Sequence, residues 1–242
     1  MPTNAYSPDW FSTFLPPTST PTVAELEFVE RHFPPSKFPR LLDVGCGVGR
    51  HANALAARGY AVLGADRNLR AIESARSVGQ AGARFLCMDI RDLDRLTESF
   101  DGALSLWASF GHFDTDTNQS ILSGIGARLR TGGRILMDVY NRDGLTSLPA
   151  RETIDRGGRE ITIERFLSGQ RFRVTLTYAD TGAREDFEWD TYSPSDLAAL
   201  AVRCGFMVVC ECAWFNEAVP PAAEHARMQV VLERSSAGSS KP

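Results

Sequence analysis

From Arg40 onward the chain alternates short apolar runs with stretches whose apolar residues recur at helical spacing. Residues 41–44 read as a buried strand, 51–58 as a helix ended by Gly59, and 61–65 as the next strand. Asn68 caps a predicted helix to about Val78, and 83–88 form a third strand. Residues 100–107, 117–130 and 134–140 continue the pattern as strand four, a helix and strand five. Strands alternating with helices through short loops imply βαβ crossovers. The predicted fold class is therefore α/β, a Rossmann-like, mostly parallel sheet with helices on both faces.

After Asn141 the pattern changes. Residues 160–167, 171–179 and 184–191 are rich in β-branched and aromatic side chains, with turn signals at Ser168-Gly169 and Thr181-Gly182. They predict a small antiparallel sheet inserted after strand five, within residues 151–191. A helix over 193–204 opens on Ser193 with Asp196 three positions later, an approximate capping box. Strands at 206–215 and 227–233 bring the main sheet to seven. Before Arg40, a segment rich in proline and aromatics (Tyr6, Trp10, Phe11, Phe14, Pro16, Pro17) leads into an amphipathic helix over 22–32, stopped by Pro34 and Pro35. The organisation expected is an N-terminal lid and helix (1–39), one main domain (40–234) and a disordered tail (235–242).

Composition narrows the function classes. Hydrophobic residues at 43% and charged residues at 23% are those of a globular protein. A net charge of -4, spread along the chain, argues against nucleic acid as the main partner. No apolar run approaches the ~20 residues needed to span a bilayer, and the N-terminus lacks a basic segment followed by an apolar one. A cytoplasmic protein without membrane partners is expected. The five cysteines (Cys46, Cys87, Cys204, Cys210, Cys212) lie in apolar segments without metal-ligand spacing. They are expected to be buried, reduced thiols, and no metal is expected.

The candidate chemistry lies between Leu41 and Arg50, at the end of the first strand and the start of the first helix. Gly45, Gly47 and Gly49 let backbone approach a ligand closely, and a helix N-terminus favours a carboxylate or phosphate. Asp43 precedes the loop, Asp66 with Arg67 closes the second strand, and Asp89-Ile90 close the third. Ligands of open α/β sheets gather beyond the carboxyl ends of the strands, so the three carboxylates should face one crevice. Asp43 would repel a pyrophosphate there, and a dinucleotide fingerprint would want glycine where Arg50 stands. A sulfonium cation with a zwitterionic tail suits such a crevice better.

These residues resemble the class I S-adenosylmethionine-dependent methyltransferases, densely over 40–140 and more loosely beyond. The resemblance implies that Gly45 and Gly47 cradle the methionine portion and Asp66 accepts the ribose hydroxyls. It also implies that Asp89 binds the adenine amino group with Ile90 against the ring, and that Leu106 lines the methionine side. S-adenosylmethionine would be the cofactor and S-adenosylhomocysteine the product. A narrower resemblance is to the small-molecule N-methyltransferases of the glycine/sarcosine and amino-sugar type, through the aromatic N-terminal segment, the inserted sheet and the stretch Ser109-Phe110-Gly111-His112-Phe113.

That resemblance makes His112 a catalytic candidate, orienting an acceptor or taking its proton; capping the loop is the alternative. Tyr6, Trp10 and Phe11 either close over the pocket, with Tyr6 at the chemistry, or pack an N-terminal arm. Trp107, Phe110 and Tyr140 either shape the acceptor pocket or fill the core; Trp189 and Tyr192 are assigned to sheet packing. Arg50 sits unfavourably at a helix N-terminus, so an acidic group should compensate it. The arginines at 151, 156, 159, 165, 171 and 173 interleave with acids and read as a solvated face. The expected function is methyl transfer to a small-molecule acceptor, on nitrogen or alternatively oxygen, by a monomer or homodimer. An RNA or protein methyltransferase, or a binder of S-adenosylmethionine without transfer, are the alternatives.

Overall fold

In a computed structural model, which describes residues 6–15 and 20–235, the alternating pattern folds into one seven-stranded sheet and one four-stranded sheet. The large sheet runs β10-β11-β5-β4-β1-β2-β3. Its strands are β1 (Arg40–Val44), β2 (Ala61–Asp66), β3 (Ala83–Cys87), β4 (Phe100–Ser105), β5 (Leu129–Tyr140), β10 (Phe206–Cys212) and β11 (Arg227–Arg234). β1 to β5 are parallel to their neighbours, whereas β11 is antiparallel to β5 and β10 to β11. Strand order reverses at β1, so the loops after β1 and β4 diverge and leave a crevice at the carboxyl edge.

Consecutive strand residues point to opposite faces, and both faces are apolar. Leu42, Ala103, Ile135, Met137 and Val230 pack on one face, against α5 (Thr115–Arg128) and α6 (Pro194–Arg203). Leu41, Leu104, Leu136 and Val231 pack on the other, against α2 (Val23–His32) and α3 (Arg50–Ala56). α4 (Leu69–Ser77) covers β2 and β3 through Ala71, Ile72 and Ala75, after an Asn68 cap that accepts from the Ala71 amide. Thr22 with Glu25, and Ser193 with Asp196, form complete capping boxes.

The inserted sheet is a meander, β6 (Arg151–Arg156), β7 (Arg159–Ser168), β8 (Arg171–Tyr178) and β9 (Arg184–Asp190), all antiparallel. β6 is the strand that alternation does not reveal. Ile154 is its one large apolar residue and the rest are charged or threonine, as suits an edge strand. It turns back through Gly157-Gly158, both at positive φ, the two-residue hairpin that only such residues form without strain. The sheet has its own core of Ile161, Phe172, Leu176, Phe187 and Trp189. A short helix absent from the sequence reading, α1 (Pro8–Phe14), packs Tyr6, Trp10 and Phe14 on that core.

Two further expectations change. β10 ends at Cys212 and not Phe215, because Trp214 and Phe215 turn to φ values of 57° and 56°. The cysteines are all free, but only Cys212 is buried; Cys87 and Cys210 lie on the sheet's two edge strands, where one side has no neighbour. The expected disordered tail lies outside the described residues except for Ser235. Among the described residues, no helix is long and apolar enough to cross a membrane.

Candidate active site

The carboxyl edge of β1, β2 and β4, roofed by α1 and bordered by the inserted sheet, encloses a cleft of about 650 Å³. Asp43, Gly45, Gly47, Asp66, Arg67, Asp89, Ile90 and Leu106 line it, as do Tyr6, Trp10, Trp107 and His112. Three predicted residues do not. Gly49 caps α3 at φ 74°, and a Cβ there would lie 2.7 Å from both the Ala75 Cβ and the Phe85 ring, so this glycine serves helix packing. Phe110 is buried in the main core against Tyr192. Tyr140 packs edge-on to Phe172 and Trp189 under the inserted sheet.

Beside its own Gly49-to-Cys46 backbone bond, the glycine loop is held by a carboxylate. Asp66 accepts from the Gly47 amide at 2.9 Å and from the Asn68 amide at 2.8 Å, which ties the first loop to the second. Burial raises the Asp66 carboxyl, and those two amides and Arg67 work against the rise. Gly45 sits at φ 75°, and a Cβ there would meet Ser109 at 2.7 Å; the Ser109 hydroxyl donates to the Leu106 and Gly45 carbonyls, closing the β1 and β4 loops on each other. Asp43 is 3% exposed, and its Oδ2 has no hydrogen-bond partner among the described residues. Burial pushes it up to about 6, aided by Asp66 and opposed by His51, Arg50 and the Ala52 amide. Asp89 is already engaged: Oδ1 accepts from the Arg91 Nε at 2.9 Å and Oδ2 from Nη2 at 2.7 Å, an arrangement that lowers its carboxyl.

Strain concentrates after β4. Trp107 and Ala108 both take φ 56°, a region costing non-glycine residues of order 1–3 kcal/mol each. The pair is held by Asp138, a buried β5 residue whose Oδ2 accepts from the Trp107 amide at 3.0 Å and whose carbonyl accepts from the Ala108 amide at 2.9 Å. Arg227 and Gln229 on β11 donate to the same carboxylate. The Trp107 indole donates to Glu25 at 2.9 Å, and the Arg50 guanidinium lies 4.4 Å over its ring. Arg50 lines the cleft and donates to the Thr20 carbonyl; among the described residues it has no carboxylate within ion-pair distance.

On the opposite side, the Tyr6 hydroxyl lies 3.2 Å from His112 Nε2. Burial lowers His112 to about 4, opposed by a backbone hydrogen bond with Glu188 and helped by Arg67. The imidazole packs against Trp189, whose indole donates to the Ala108 carbonyl. Tyr6 stacks 4.8 Å from Phe187, and burial raises its hydroxyl far above the ordinary range. Gly111 brings this loop onto the inserted sheet: its carbonyl accepts from the Asp190 amide, and a Cβ would stand 2.5 Å from the Asp190 carbonyl.

Reading the sequence missed Glu25, Asp138, Glu188 and Arg227, and assigned Arg171 to a solvated face although it lines the cleft. Arg171 and Glu188 line the cleft from β8 and β9, where Arg171 donates to Asp190 at 2.7 Å and Glu188 accepts from Arg173. Alternation in those strands marks which face is apolar, not which polar side chain reaches the cleft. The only usable signal was carboxylates and arginines recurring among inward-facing positions.

Residues 41–133 match the family model described as "Methyltransferase domain". The Coxiella burnetii ubiquinone biosynthesis O-methyltransferase is 26% identical over 140 residues, covering 56% of this chain; the chain spans 58% of that enzyme's length. Among solved structures, an S-adenosylmethionine-dependent methyltransferase of Clostridium acetobutylicum ATCC 824 superposes with a TM-score of 0.79 at 14% identity, over 93% of this chain and 96% of its own. The amino pentose methyltransferase CalS10 of Micromonospora echinaspora, with SAM bound, superposes at 0.73 with 18% identity, over 96% and 99%. Residues 41–133 thus match a methyltransferase domain, and the chain has the fold of the S-adenosylmethionine-dependent methyltransferases.

Proposed function

We propose that this protein transfers the methyl group of S-adenosylmethionine to the nitrogen of a small-molecule acceptor. The residues present fit that cofactor. The Asp66 carboxylate, anchored by two backbone amides, keeps lone pairs for ribose hydroxyls. Asp43, with an unpartnered buried oxygen, offers an acceptor to a cationic amine, and Arg50 offers a guanidinium to a carboxylate. Asp89 would share its carboxylate between Arg91 and an adenine amino group.

When bound, the cofactor supplies an electrophilic methyl group, so no covalent enzyme intermediate is needed. The protein's task is to orient the acceptor and exclude water, which can lower a barrier by ~7–11 kcal/mol in good cases. His112 stays neutral down to about pH 4. A neutral imidazole accepts one hydrogen bond, at Nε2 from the Tyr6 hydroxyl, whose oxygen can in turn accept from an acceptor N–H throughout the physiological range. It would release any proton it took almost at once, so orientation is its main contribution, with Tyr6 fixing the ring. The aromatic roof of Tyr6, Trp10 and Phe11 suits the cationic amine that forms.

The observation that carries this reading is the roof. Ser7 accepts from the Trp10 amide and donates to Glu185 at 2.7 Å, and Asn68 donates to the Tyr6 carbonyl, so α1 is fastened over the cleft to both the inserted sheet and the cofactor side. The cleft volume lies in the range of small-ligand pockets. The inserted sheet's arginines at 151, 159, 165, 171 and 173 pair with Glu164, Asp180, Glu152, Asp190 and Glu188, which disfavours a polyanion surface. An oxygen acceptor is the second reading, favoured by the similarity to an O-methyltransferase. Incubation with labelled cofactor and matched panels of amines, phenols and acids tests both. Turnover of amines supports nitrogen, turnover of phenols supports oxygen, and turnover only of RNA or protein overturns the small-molecule reading.

A further inference from the structure

Glu25 is a carboxylate on the inner face of α2, between core residues Leu26, Phe28 and Val29, and it is only 5% exposed. A capping box needs no such burial. One oxygen serves the cap, accepting from the Thr22 amide at 2.5 Å. The other faces away from the cap: Oε1 accepts from the Trp107 indole at 2.9 Å and lies 3.8 Å from His51 Nε2. His51 is 6% exposed, and that nitrogen has no hydrogen-bond partner among the described residues. Trp107, Arg50, His51 and Asp43 all line the cleft, and the indole held by Glu25 is the surface on which the Arg50 guanidinium rests. Burial works against a charged Glu25, yet its hydrogen bonds prevail and hold it at about 2.

We infer that Glu25 is a positioning residue for the amino-acid end of the cofactor pocket, pinning the Trp107 indole and, through it, Arg50. The inference rests on the cofactor reading above. Its physical core is that both carboxylate oxygens accept from N–H donors on different elements. An amide in the same place has one acceptor and one donor, so Glu25→Gln can satisfy the cap or the indole but not both. Once the indole swings, the guanidinium loses its platform, while Asp66 and Asp89 on the adenosine side are untouched.

Calorimetric titration with two ligands tests this: S-adenosylhomocysteine, and 5′-methylthioadenosine, which lacks the amino-acid portion. Glu25→Gln should bind the first about tenfold more weakly, the scale of one charged hydrogen bond, and the second within about twofold of wild type. Trp107→Phe, which leaves the cap intact, should show the same split, and adding Glu25→Gln to it should cost little more, because the shared interaction is already gone. Should Glu25→Gln fail to fold, the Trp107→Phe split decides alone. Equal losses for both ligands, or no loss for either, would overturn the inference while leaving the cofactor reading standing. Wild-type protein that gives no heat with either ligand would sink that reading and the inference together.

Discussion

The two walls of the cleft, one proposed to hold the cofactor and the other the acceptor, are built in different ways. The cofactor wall comes from the ends of successive parallel strands: Asp43 lies one residue before the end of β1, Asp66 closes β2 on two backbone amides, and Asp89, just past β3, is held by the Arg91 amide and guanidinium. The acceptor wall comes from pieces far apart in sequence, with Tyr6 from the N-terminal arm, His112 from the β4 loop, and Arg171 and Glu188 from the inserted sheet. A wall made by the sheet's own geometry can stay constant while the other is rebuilt. On this division, damage to one wall should leave the other's ligand largely unaffected.

The largest expected effect is on the cofactor wall. Asp66→Ala removes an acceptor that two loop amides share and that the proposed ribose contact needs. With charged hydrogen bonds worth ~1.5–3 kcal/mol each, affinity for S-adenosylhomocysteine should fall roughly 100-fold or more by calorimetry. A loss under fivefold would place the ribose elsewhere. The matching cut in the acceptor wall is His112→Asn, which should lower kcat by about 100-fold, the scale of a misplaced acceptor, with cofactor affinity unchanged within about twofold. Equal effects of His112→Asn on cofactor binding and turnover would merge the two walls into one.

What the sequence made legible follows the same line. The strand ends of the cofactor wall were readable because a parallel sheet is periodic and its ligands gather at one edge. Gly49 was misplaced within that wall because spacing does not distinguish a glycine that admits a ligand from one that admits a helix; the Ala75 and Phe85 contacts do. The acceptor wall was readable only in part. Phe110 and Tyr140 looked like pocket residues because they follow β4 and end β5, but Gly111 turns the loop so that Phe110 faces the core and His112 the cleft. β6 escaped because an edge strand made of charged residues has no apolar alternation to detect, and Glu25 because a cap residue at helical spacing does not reveal its second oxygen's partner.

Each wall also holds one group whose charged form burial disfavours, and the two should respond to pH in opposite senses. Asp43 titrates at about 6 in the fold against an ordinary 3.8, so its contribution to stability is full below pH 3.8 and is lost as pH rises through about 6. The gap corresponds to about 3 kcal/mol. Asp43→Asn should therefore melt higher than wild type at pH 8 and match it near pH 4. His112 titrates at about 4 against an ordinary 6.5, so its contribution is present above pH 6.5 and is lost as pH falls through about 4, again by about 3 kcal/mol. His112→Asn should match wild type at pH 8 and gain on it towards pH 4. Melting curves of the three proteins across that range check both slopes, and parallel curves would mean that neither group is buried neutral.

The smallest effect should come where the acceptor wall is fastened. Ser7 accepts from the Trp10 amide as the N-cap of α1, and it donates to Glu185 on β9 at 2.7 Å. Ser7→Ala removes both bonds without touching the cleft, since Ser7 does not line it while Tyr6 and Trp10 do. Losing an N-cap costs about 1 kcal/mol, and in a helix as short as α1 that cost falls on the roof's attachment rather than on the global fold. The acceptor KM should rise roughly fivefold while kcat at saturation and the melting temperature change little, because a roof that opens more often still closes to the same geometry. Cofactor affinity is the discriminating measurement. Phe11 hangs over Gly47, 3.8 Å from where a Cβ would stand, and Asn68 donates to the Tyr6 carbonyl, so the roof touches the cofactor wall as well. A fall in affinity as large as the rise in KM would mean that the roof belongs to both walls, and the division between them would have to be redrawn at α1.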